Sequence, residues 1–170
     1  ERSRGLGDVY KRQDKNYKKV FHSGETRRIG NDNVEISIKG GSARIGHGVN
    51  ILQRPFIKEV AEKKNVCFEI SPVSNVFLAF LDDPRKSHAF TLFNMGVPIS
   101  LNSDDPGKFN NEDSTFDYWL TVISSDWSLK QLKLVALYSI HHAICSEGQK
   151  EAMLKSFDKK WNDWIEKFVK

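Results

Sequence analysis

The 170-residue sequence contains only two cysteines, Cys67 and Cys145, set far apart. That scarcity excludes a Cys-x-x-Cys metal site and a disulfide framework, and it leaves the redox compartment unread. No run of about 18 apolar residues occurs, so no segment reads as a membrane-spanning helix. The net charge is +4, yet no Lys/Arg block alternates with aromatics on one face, which argues against a nucleic-acid partner. No Asn-x-Ser/Thr acceptor is present either, so the sequence offers no glycosylation signal of a secreted protein. What is present, 39% apolar and 28% charged residues, suits one globular core.

Residues 1–13 stand apart. They hold Gly5, Gly7 and scattered charges with no apolar period, and Arg2, Arg4, Lys11 and Arg12 against Glu1 and Asp8 supply +2 of the net charge. This run is expected to be a non-native adaptor scar or a disordered leader, with residues 14–170 forming the folded domain. From Asp14 onward, short apolar strands alternate with amphipathic helices. Strands are expected at about 18–21, 43–45, 66–70 and 97–101, and helices at 33–38, from Pro55 to about 64, and at 88–95. The third strand is expected to stop at Ser71-Pro72-Val73-Ser74-Asn75. Alternation of this kind means parallel strands joined by crossover helices, and hence an α/β barrel or open sheet with its site at the carboxyl ends. The rest is helical, at about 114–123, 128–144 and 147–168. On the last helix Leu154, Phe157, Trp161, Trp164, Ile165 and Phe168 recur at helical spacing, and this stripe is expected to pack against the fold.

Each expected strand ends in residues capable of chemistry. His22 and Glu25 follow the first, His47 lies between Gly46 and Gly48 after the second, and Asp104 and Asp105 end the fourth, where Pro106 cannot continue a ladder. Taken singly, each has an ordinary explanation as a turn or a solvated charge. Gathered on one rim of one sheet, they form a constellation. Imidazole and carboxylate suit a zinc or similar ion, a second carboxylic acid can transfer protons, and a further histidine can orient or deprotonate water. His88 at a helix start reads as a surface residue, with a supporting place behind the site as the alternative, and His141-His142 near a helix end reads as structural.

Four runs carry a family resemblance: His22-Ser23-Gly24-Glu25-Thr26, Arg44-Ile45-Gly46-His47-Gly48, Ser71-Pro72-Val73-Ser74-Asn75 and Ser100-Leu101-Asn102-Ser103-Asp104-Asp105-Pro106. In that order and spacing the chain resembles the C-terminal half of an adenosine deaminase. Glu25-Thr26, the stretch 85–88 and the tail Lys159-Lys160-Trp161-Asn162-Asp163-Trp164 are similar to the adenosine deaminase growth factor branch.

The resemblance implies an α/β fold: the last four strands of a (β/α)8 barrel of the metal-dependent hydrolase type, followed by C-terminal helices. It implies Zn2+ as cofactor, with His22 and Asp104 as ligands. Glu25 would donate a proton to purine N1, His47 and Asp104 would orient and help deprotonate the attacking water, and Gly24 and Asp105 would bind substrate, Asp105 at N7. The reaction would convert adenosine or 2'-deoxyadenosine to inosine and ammonia. It further implies a small-molecule purine nucleoside as partner, a homodimer formed through segments outside this chain, and an extracellular location, with the cytoplasm as the alternative.

Departures from the family pattern set further expectations. The family's other two zinc ligands form a His-x-His motif, and no His-x-His occurs here. Ser71 stands where the family commonly has cysteine. Both outer strands would be open edges, so residues 14–170 alone are expected to be poorly soluble and inactive. Two other readings keep the fold: an AMP deaminase-like enzyme, and a non-catalytic, growth-factor-like binding protein.

Overall fold

In the computed structural model the described residues are 18–26, 32–63, 66–110 and 113–169. The expected scar or leader at 1–13 lies outside them. Four strands, β1 (Lys19–Ser23), β2 (Ser42–His47), β3 (Cys67–Ile70) and β4 (Ile99–Leu101), form one sheet in sequence order. All three pairings are parallel. Parallel neighbours require crossovers, and the helices supply them: α1 (Asn33–Lys39), α2 (Ile57–Lys63), α3 (Pro72–Phe77) and α4 (His88–Asn94). α5 (Thr115–Ile123), α6 (Leu129–His141) and α7 (Glu147–Val169) follow β4.

The register decides which side chains share a face. His22 pairs with Gly46, Gly46 with Glu69, and Glu69 with Ser100, so these four lie in one row across the inner face. The alternate row, Ile45, Phe68 and Ile99, points outward and is fully buried under the helices. Ile70 and Leu101 extend it, and Val34, Val60, Leu92, Val97 and Val135 complete the core. Both faces of β4 are buried, including Ser100 at 1% exposure, as a strand in a parallel sheet requires. β1 and β4 are the outer strands among the described residues.

Two elements depart from expectation. Pro55 does not open a helix: a 3-10 turn at Ile51–Gln53 comes first and α2 begins at Ile57, while residue 64, the expected end, lies outside the described residues. β3 stops before Ser71, as expected, and α3 follows at once with Pro72 at its first turn. The stripe on α7 is only half covered. Leu154, Phe157, Trp161 and Ile165 are partly exposed, Trp164 is 39% exposed and Phe168 is 70% exposed. Its rings form a ladder instead, Phe157 on Trp161, Trp161 on Trp164 and Trp164 on Phe168, at centroid separations of 4.8–5.8 Å. Lys133 of α6 reaches over Trp161 at 5.3 Å.

Candidate active site

The carboxyl ends of the strands open into a cleft of about 570 Å³ lined by His22, His47, Glu69, Ser71, Asn102 and Asp104 among others. Its walls follow from local backbone choices. His22 occupies the inner row on β1, and its ring lies over Gly46, where a Cβ would come within 3.1 Å of His22 Cγ. β2 ends on His47, whose φ of +66° is left-handed, a conformation that costs a residue with a side chain about 1 kcal/mol or more. Asp104 is left-handed as well, at φ +59°. Two non-glycine residues in such conformations beyond β2 and β4, on either side of β3, mark the rim as a place where geometry outranks local comfort.

Distances bring four of the expected residues together. His22, His47 and Asp104 each offer one ligand atom, all within 4.8 Å of one another. His47 Nε2 lies 3.7 Å from Glu25 Oε1 and 3.9 Å from Asp104 Oδ2. The His22 and His47 rings are 5.1 Å apart. His47 is 2% exposed in its side chain, whereas the Glu25 side chain is 40% exposed. Asp105 turns away from the cluster, with its carboxylate 56% exposed and 3.8 Å from Lys108 Nζ. Gly24 contributes backbone: its φ is +66°, its carbonyl accepts the Asn50 amide at 3.3 Å, and any Cβ there would clash with Val34 and Asn50.

Behind the rim stand buried polar residues whose contacts were not legible as site features. Ser74 on α3 donates its hydroxyl to Asp104 Oδ2 at 2.6 Å. α3 is itself capped by Asp117 of α5, whose Oδ1 accepts the Val73 amide at 3.0 Å across 44 residues of sequence. Asp117 is fully buried and its second oxygen has no hydrogen-bond partner among the described residues. Burial pushes its pKa up to about 6, with the nearby Asp104 charge adding to the rise. His88, expected at the surface, is 3% exposed, and its Nε2 donates to the His47 carbonyl at 2.7 Å. Burial holds its pKa down to about 4, so the ring is neutral at pH 7. On the inner face below the cleft, Arg44 bonds Glu69 through Nε, Ser100 Oγ through Nη2 and the His142 carbonyl through Nη1. That network ties three strands to the end of α6.

The donor set fits a divalent ion. Two imidazole nitrogens and one carboxylate oxygen within one small volume are ligands that zinc accepts, and His22, His47 and Asp104 are the one such group among the described residues. The set stops at three, one short of a closed tetrahedral site.

Parallel strands joined by helices, with a polar rim of imidazoles and carboxylates at their carboxyl ends, form the α/β arrangement found in part of a (β/α)8 barrel. The sequence model of the family described as adenosine deaminase matches residues 4–160, and the chain belongs to that family. It is 30% identical over 150 residues to adenosine deaminase 2 of Dictyostelium discoideum, covering 88% of this chain and 28% of that protein. This likeness to the adenosine deaminase 2 branch agrees with the growth-factor-type resemblance of the tail and of Glu25-Thr26. Among solved structures it superimposes on an adenine deaminase from Arthrobacter aurescens with a TM-score of 0.78 at 20% identity, covering 94% of this chain and 47% of that one. A zinc-bound amidohydrolase from Burkholderia ambifaria gives a TM-score of 0.72 at 22% identity over 89% of this chain and 42% of the other. The chain thus spans less than a third of the first relative's length and about half of these barrels.

Proposed function

We propose that this chain forms the C-terminal half of the barrel domain of a zinc-dependent adenosine deaminase, hydrolysing adenosine or 2'-deoxyadenosine to inosine and ammonia. The observation that carries the proposal is the convergence of His22, His47 and Asp104 within 4.8 Å, with Glu25 3.7 Å from His47. His22 and Asp104 would hold the ion, with the remaining ligands contributed from outside this chain. When bound, zinc supplies a Lewis acid that makes water acidic enough to serve as a nucleophile near neutral pH.

The chain's own residues divide the proton work. Glu25, partly exposed beside His47, donates a proton to purine N1, which makes C6 electrophilic. His47, held away from solvent between Glu25 and Asp104, takes the proton from the attacking water, and Asp104 keeps that imidazole oriented. Addition at C6 followed by departure of ammonia completes the exchange of amine for oxygen. Asp105 reaches purine N7 after turning from Lys108, and Gly24 leaves space and a backbone edge for the base. We further propose that residues 14–170 alone are inactive, because two ion ligands do not make a closed metal site and two open sheet edges do not enclose a substrate. An extracellular location and a homodimer are proposed on the likeness to the growth factor branch. Among the described residues no helix is long and apolar enough to cross a membrane.

The test uses the full-length protein that contains this segment, following the fall in adenosine absorbance with AMP as competing substrate. Turnover of adenosine that Glu25→Gln lowers about 10²- to 10⁴-fold supports the reading. A preference for AMP, or no turnover by folded protein, would overturn it in favour of a nucleotide deaminase or a barrel kept for binding.

A further inference from the structure

The His47–Gly48 peptide plane is held at both ends. Its N–H, on Gly48, donates to the Ser23 carbonyl at the tip of β1 at 2.9 Å. Its carbonyl, on His47, accepts from His88 Nε2 at 2.7 Å. A carbonyl can only accept, so Nε2 carries the hydrogen, which fixes one neutral tautomer, and Nδ1 is buried without a partner among the described residues. His47 needs such restraint. At φ +66° its backbone sits in a shallow minimum, and Gly48 beside it is also left-handed, so rotation of this plane would swing the imidazole off the line between Glu25 and Asp104. Ser23 anchors the plane to the strand that carries His22, and His88 anchors it to α4, where Ser87 Oγ accepts the Ala89 amide at the helix start.

We propose that His88 is a positioning residue: through the His47 carbonyl it locks the His47–Gly48 peptide and keeps the His47 imidazole aimed into the cleft. The inference rests on His47 acting in the proposed deamination for its kinetic consequence, but its structural content stands apart from that reading. His88 touches neither substrate nor ion; it acts on the backbone of the residue that does. Its loss therefore lowers turnover more than substrate binding, as expected when a supporting partner of a reactive group is removed.

Two substitutions separate position from packing. His88→Phe keeps a ring in the buried slot and removes the donor, and His88→Leu does so with a smaller side chain, which covers the case in which one of them fails to fold. His88→Gln returns an N–H donor at the reach of Nε2. In the full-length protein, Phe and Leu are expected to lower kcat about 10- to 100-fold with KM within about twofold, and Gln is expected to recover most of the loss at equal melting temperature. Histidine-labelled NMR gives the readout that needs no activity: one sharp His47 imidazole signal in wild type and Gln, and a split or broadened one in Phe and Leu. Folded Phe and Leu variants with an unchanged His47 signal would overturn the inference, as would a kcat loss that Gln does not rescue. Absence of purine turnover in wild type with the NMR pattern as expected would count against the proposed function and leave the positioning role standing.

Discussion

The outer face of the sheet presents Ile45, Phe68, Ile70, Ile99 and Leu101, none more than 5% exposed, whereas the inner face of the same strands presents His22, Arg44, Gly46, Glu69 and Ser100. One face is sealed by helices and contributes stability through apolar burial. The other is polar, partly open to the cleft, and held by directed bonds rather than by close-packed hydrocarbon. Period-two alternation lets a few short strands perform both tasks at once. Stability and chemistry should therefore respond to substitution in different ways on the two faces.

The largest effect is expected on the outer face. Phe68 is fully buried, and its ring fills the space a Gly48 Cβ would need, lying 2.5 Å from that position. Phe68→Ala should cost about 3–5 kcal/mol in urea unfolding of the full-length protein. On the inner face, Arg44→Met leaves the Glu69 carboxylate without its cation and should cost about 2–4 kcal/mol, while Arg44→Met with Glu69→Leu should recover most of the loss. Equal costs for the single and double variants would erase the distinction between the faces, because the inner face would then be ordinary packing.

The smallest effect concerns Asp117, which serves the rim from behind. Its folded pKa of about 6 lies above the ordinary 3.8, so the folded chain binds this proton more tightly than the unfolded one. The resulting stability is fully present below about pH 4 and is lost as pH rises through about 6. The charged group facing it is Asp104, and the amide it caps is that of Val73. Asp117→Asn keeps an oxygen for that amide and removes the charge. It should raise stability by about 1–3 kcal/mol near pH 8 and change it little near pH 4, read as the pH dependence of the urea midpoint.

Much of this organisation was legible in the sequence because it is local. Apolar runs of strand length alternating with helical period gave the four strands in order, and the residues at their ends, His22, Glu25, His47 and Asp104, meet in space because parallel strands bring successive tips to one rim. What escaped is non-local. α3 contains Ser74, Asn75 and two valines, all weak helix formers, and it is helical where a carboxylate 44 residues away caps it. His88 follows Lys86 and Ser87 and reads as a surface residue, yet the chain folds it under the tip of β2. Asp105 shares its sequence context with Asp104 but not its surroundings, since the left-handed turn at Asp104 sends the next side chain toward Lys108. The α7 stripe has the period of a core-facing helix, and period alone does not say how much of it a neighbour covers.

The most direct test of the central claim, that the tips of these strands form one metal-dependent catalytic site, is to titrate metal-free full-length protein with zinc while recording adenosine turnover. The account predicts that activity rises in step with zinc to one equivalent per chain and that His22→Ala with Asp104→Ala abolishes both. Full turnover by the metal-free protein, or an unchanged zinc equivalent in that double variant, would contradict it.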